Sequence, residues 1–157
     1  METITLTAVP LELLTATFLV CLGSAVIPLL NTELYLLGVA VLVAPAALPA
    51  VVLSAAVGQM AGKSILYFAG TGVLRLPPRF QRGVPGLAAR IAAHRLGALG
   101  VVFLSALSGI PPFYGVSLIA GGLRWNFAQF FITGCCGRIL RFALIVALPQ
   151  LVKGSAQ

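Results

Sequence analysis

Three stretches of this sequence carry no charge, and prolines and glycines punctuate them. Leu13–Leu30, Leu34–Gly62 and Leu96–Leu123 contain no Asp, Glu, Lys or Arg. A bilayer-crossing helix needs about 20 apolar residues, so each run is of membrane length. The rest of the composition agrees: 60% of the residues are hydrophobic, 8% are charged, and mean hydropathy is +1.09. Soluble domains carry about 25% charged residues, so this chain cannot cover a water-facing surface. The expectation is an all-α integral membrane protein. Its 157 residues form one domain and leave no room for a separate soluble one. Met1–Glu12 is polar and lacks Lys and Arg, unlike the basic n-region of a secretory signal. Leu13–Leu30 is therefore expected to stay in the mature protein.

The interruptions organise the chain. Pro28 closes the first run, and Pro45 and Pro49 break the second before a helical stretch to about Leu74. Gly109-Ile110-Pro111-Pro112 breaks the third near its middle, and a last segment runs from about Asn126 to Leu148. Proline removes a helix hydrogen bond and clashes with the preceding turn. Broken backbone at membrane depth survives only against protein or a wet cavity. A symmetry follows between a first half (11–74) and a second (96–150). Each half has a broken apolar segment and then a glycine-bearing span: Gly58-x3-Gly62-Lys63 in one, Gly134-x2-Gly137-Arg138 in the other. Corresponding broken segments point to an inverted repeat, here two re-entrant helical hairpins each followed by a transmembrane helix. Plain spanning helices with proline kinks are the alternative. Gly58, Gly62, Gly70, Gly134 and Gly137 are read as helix-packing positions, because small residues let helices approach closely. Such faces leave a homo-oligomer open.

The net charge of +7 does not indicate nucleic acid, because no folded basic domain accompanies it. Arg75, Arg79, Arg82, Arg90 and Arg95 fall between the two halves. That 75–95 segment reads as a cytoplasmic loop by the positive-inside bias, in reach of anionic lipid headgroups.

Ionisable residues within apolar segments are expensive, about 2.5–3.5 kcal/mol at a helix centre on insertion scales. Glu33, Lys63, Arg138 and Arg141 are the four candidates, and Arg138 and Arg141 are spaced to share a helix face. Three cations and one carboxylate leave positive charge in excess, which attracts an anion; in a bilayer the abundant anions are lipid phosphates. The planar guanidinium fork suits phosphate. Glu33 can gate, exchange protons, or simply cap the helix that Asn31-Thr32 begins. Ser24, Ser54, Ser105 and Ser108 have no His or Asp partner in the apolar segments, so no enzyme is expected. Cys21, Cys135, Cys136 and the single His94 lack metal-ligand spacing, and no metal or cofactor is expected. Trp125 and Tyr114 read as interface anchors.

These residues resemble the DedA family, also called the VTT or SNARE-associated Golgi protein domain, and above all its short bacterial members of the YqaA type. The first-half likeness is Pro28, Glu33, Gly58, Gly62, Tyr67 and Gly70. The second-half likeness is Phe103, Ile110-Pro111, Ala120-Gly121, Trp125, Phe130, Gly134 and Arg138. The resemblance implies two opposed re-entrant hairpins, a multi-pass location in the bacterial inner membrane, and handling of an anionic lipid such as a polyprenyl phosphate or phospholipid. Glu33 would be the family's acidic residue in the first hairpin. Two departures stand out: Thr71 follows Gly70 where relatives have a basic residue, and Tyr114 lies where an arginine commonly follows the second hairpin's proline. Lys63 and Arg138 are the candidates to replace those charges. A non-transporting membrane adaptor that stabilises other proteins is the alternative function.

Overall fold

A computed structural model describes residues 10–27, 31–73 and 95–154. All the regular structure in these residues is helical, and two of the helices are long and apolar enough to cross a membrane. Pro28 and the greater part of the basic 75–95 segment lie outside the described residues.

The helix ends follow from the sequence punctuation. Helix α1 (Leu11–Val26) stops at Ile27, whose extended backbone is what a residue before proline adopts. Asn31 caps α2 (Thr32–Leu42), its side-chain oxygen accepting the amides of Glu33 (3.0 Å) and Leu34 (3.4 Å). A 3₁₀ turn at Pro45–Ala47 leads into α3 (Leu48–Val73). Pro49 falls in the first turn of α3, where its missing N–H costs nothing. Helix α4 (Arg95–Ser108) ends at Gly109, whose φ of 80° side chains rarely adopt. Pro111 follows a cis peptide, and Pro112 opens α5 (Phe113–Gly122). Arg124 (φ 52°) then turns the chain, and the Trp125 amide closes onto Ala120 O at 3.0 Å. Asn126 starts α6 (Phe127–Gly154), accepting the Gln129 amide at 3.1 Å.

The chain divides into two compact units, 1–62 with 139–157, and 63–138. The boundaries cut α3 after Gly62 and α6 after Arg138, so the units do not follow the sequence halves.

In the first unit α1 and α2 form an antiparallel hairpin. Ser24 meets Thr32 near the turn and Thr17 meets the Tyr35 hydroxyl farther along (3.1 Å). Helix α3 packs on α1 so tightly that a β-carbon on Gly58 would lie 2.5 Å from Phe18 O, and one on Gly62 2.5 Å from the Ala25 β-carbon. The core joins Cys21, Leu36, Val39, Val51, Ala55 and Phe142.

In the second unit the hairpin is α4 and α5, held at its turn by the Ser105 hydroxyl on Pro111 O (2.5 Å). Gly137 of α6 lies against Phe103 and Ala106 of α4, and Gly70 of α3 against Leu118 of α5. Gly134 is buried. Tyr67 stacks on Phe130 (centroids 5.2 Å), Phe130 on Phe113 (5.9 Å), and the Tyr67 hydroxyl donates to Trp125 O.

Candidate functional site

The four ionisable residues expected to act together fall into two pairs, one in each unit. In the first unit, Glu33 is the second residue of α2, and Asn31 and Thr32 fix its start. The Arg141 Nε of α6 donates to Glu33 Oε1 at 2.9 Å, and the same guanidinium's Nη2 also reaches that oxygen. The side chains are 44% and 22% exposed, so the pair is partly shielded rather than interior. Arg141 therefore compensates the carboxylate that the sequence singled out.

In the second unit the chemistry is cationic. Lys63 on α3 is 7% exposed, held within protein and not turned outward. Its Nζ lies 5.7 Å from the centroid of the Tyr114 ring. Arg138 on α6 is half-buried, with Cζ 5.0 Å from the Phe113 ring centroid. Phe113 and Tyr114 are the first two residues of α5, so two long helices each bring a cation to the same helical turn. Rings beneath both cations contribute attraction through their π faces. The start of α5 carries the positive end of its dipole, and Pro112 supplies no side-chain cap there. Two cations and a helix N-terminus on one turn form an arrangement suited to a compact oxyanion.

The hairpin-break residues are placed as follows. Gly109, Pro111 and Pro112 make the turn that aims α5 at Lys63 and Arg138, whereas Pro28 lies outside the described residues. Tyr114 and Trp125, read from sequence as interface anchors, make the following contacts. The Tyr114 ring faces Lys63, and the Trp125 carbonyl accepts from Tyr67.

One cluster escaped the sequence reading. Ser24, Thr32 and Gln59, from α1, α2 and α3, meet in the first unit and are 9%, 6% and 7% exposed. Gln59 Nε2 donates to Thr32 Oγ1 (2.8 Å) and to Ser24 Oγ (3.1 Å). Thr32 donates to Ser24 Oγ (2.5 Å), which in turn donates to Cys21 O (2.8 Å). The signal available was Gln59 itself, the lone amide side chain of the uncharged run Leu34–Gly62.

Among the described residues, no group of three or more His, Cys, Asp or Glu is placed to hold a metal ion. No protein-family model matches the chain, no curated protein matches it, and no solved structure matches it.

Proposed function

We propose that this chain is an integral membrane protein built as an inverted repeat of two re-entrant hairpins, and that it moves an anionic lipid, a polyprenyl phosphate or phospholipid, across the bilayer. The observation that carries this reading is the convergence of Lys63 and Arg138 on the first turn of α5. Buried cations are costly in apolar surroundings, and a phosphate offers both of them a charge-assisted partner.

Helix lengths support the topology. At 1.5 Å per residue, α1, α2, α4 and α5 reach only about 15–24 Å, against a hydrocarbon core of about 30 Å. Among the described residues, only α3 and α6 are long and apolar enough to cross. The shared plan of the units supports the repeat. In each, the first residue of the hairpin's second helix meets the long helix that follows that hairpin: Thr32 meets Gln59, and Phe113 meets Arg138. In each, the second residue meets the other long helix: Glu33 meets Arg141, and Tyr114 meets Lys63.

The resemblance to the DedA family points the same way, and its main departure has a local answer. Tyr114 stands where relatives have an arginine, and Lys63 places its ammonium over that tyrosine.

The test is reconstitution into liposomes carrying labelled polyprenyl phosphate or phosphatidylglycerol. Lipid crosses with the wild-type protein, and Lys63→Ala or Arg138→Ala slows it by about tenfold or more, since a charge-assisted contact contributes about 1.5–3 kcal/mol. Undiminished flux in both variants removes the phosphate site from the mechanism. Absence of flux with the wild type leaves the adaptor reading.

A further inference from the structure

We infer that the groove between the start of α3 and the later part of α6 is a binding site for one acyl tail of a phospholipid. The hollow has a volume of about 620 Å³, with Leu48, Pro49 and Val52 on one side and Ile139, Ala143 and Val146 on the other. Its whole lining belongs to the first unit. Pro49 and Ala143 are exposed, so it opens outward and is not sealed within the core.

No side chain in the wall carries a polar atom. The backbone would ordinarily supply some, because the first four N–H groups of a helix have no partner within it. Proline changes that here. Pro45 and Pro49 have no N–H, the Leu48 N–H turns back onto Pro45 O, and the Ala47 N–H donates to Ala44 O at 2.9 Å. A water molecule in this hollow would lack the polar partners, about two to four, that hold buried water.

An unfilled hollow forfeits dispersion contacts along its walls, so it favours an apolar filler. Size separates the candidates. A stable protein interface takes about 20–30 residues a side; nine line this groove, too few to seat a second copy. The volume instead falls within the range of small-molecule sites, about 300–1,000 Å³. Such sites use a few polar groups to orient their ligand. With none in the wall, the bound segment is hydrocarbon throughout. A bilayer supplies that as phospholipid acyl tails, which are as apolar as leucine, so packing and not hydrophobicity drives association. The site therefore selects tails and is indifferent to headgroups. This inference rests on the membrane reading above, and is independent of the phosphate site at Lys63 and Arg138.

The experiment reconstitutes the full chain in liposomes of phosphatidylcholine or phosphatidylglycerol carrying a diazirine in the acyl tail. After irradiation, the label is mapped by peptide mass spectrometry. Leu53 and Leu19 are matched reporters, 52% and 58% exposed, the first in the groove wall and the second on α1 outside it. The expected result is severalfold more label at Leu53 than at Leu19, with either headgroup. Ala143→Phe fills the groove and brings Leu53 down to the level of Leu19. Ala147→Phe, also in the wall, does the same should Ala143→Phe fail to fold. Label at Leu19 without an excess at Leu53 overturns the proposal and leaves the membrane reading standing, whereas label nowhere on the chain removes both. An excess that survives in both phenylalanine variants, or that appears with one headgroup only, also overturns it. So does a disulfide-linked dimer through Ala143→Cys, with the native cysteines replaced by alanine, that displaces the label; the groove would then belong to a second copy.

Discussion

The guanidinium of Arg141 decides the chemistry available to Glu33. Two donors of one planar group converge on one carboxylate oxygen, so the acid is held as the partner of a guanidinium and not as a loose cap. Both side chains keep some exposure, and partly solvated pairs contribute less than buried ones. Arg141→Ala is therefore expected to cost about 1–2 kcal/mol, read as a lower Tm in detergent. Glu33→Gln costs less, because the amide keeps an oxygen for Arg141 to use. Exchanging the two residues, Glu33→Arg with Arg141→Glu, recovers part of the loss; no recovery would show that the pair does not set stability. The sequence named all four ionisable residues, since a charge within an apolar run is visible without coordinates. Their pairing was not legible, because Glu33 and Arg141 lie 108 positions apart and nothing local couples them. Gln59 was passed over for a related reason. An uncharged amide adds little to a hydropathy profile, and only burial turns its free oxygen into a feature.

At the scale of the element, a glycine matters where it faces a neighbouring helix and not where it faces open space. A β-carbon at Gly62 would meet the Ala25 β-carbon at 2.5 Å and Leu22 O at 2.7 Å. Backbone stands in the way, and overpacking of this kind costs about 1–3 kcal/mol. Gly62→Ala is thus expected to destabilise the α1–α3 contact, seen as a lower Tm. Gly38, inside α2, has nothing within 4 Å of the equivalent position. Gly38→Ala should instead add about 0.5–1 kcal/mol, as removing a mid-helix glycine does. Equal effects at the two sites would mean that close approach is not what Gly62 provides. The breaks between elements could be read from composition: Pro28, Pro45 and Gly109-Ile110-Pro111-Pro112 come just after helix ends at Val26, Leu42 and Ser108. The end of α5 could not. Arg124 takes a backbone conformation usually left to glycine, and the Trp125 amide bond to Ala120 O that fixes it has no sequence mark.

For the whole molecule, the question is whether the hairpins return to the face they entered from. Helices α4 and α5 together hold 24 residues, about 36 Å end to end, which as one kinked rod would cross a bilayer. As a hairpin, neither arm is long enough to do so. The tie points of the first hairpin run backward along α1 as they run forward along α2, from Ser24–Thr32 to Thr17–Tyr35, so that pair reverses direction. The matching arrangement at Phe113 and Tyr114 argues that the second pair does the same. This gives a labelling prediction in a background with Cys21, Cys135 and Cys136 replaced by alanine. Single cysteines at Leu11 and Leu42, both exposed, should react with an impermeant maleimide from one face of the membrane. Single cysteines at Gly97 and Arg124, also exposed, should react from the opposite face. Labelling of Gly97 and Arg124 from different faces would make α4 and α5 a single kinked span, and the first turn of α5 would then lie partway along a crossing helix, not at the tip of a hairpin. Labelling of Gly97 and Arg124 from one face, opposite to that of Leu11 and Leu42, would agree with the proposed inverted hairpins and put the helix start that Lys63 and Arg138 approach at a hairpin tip.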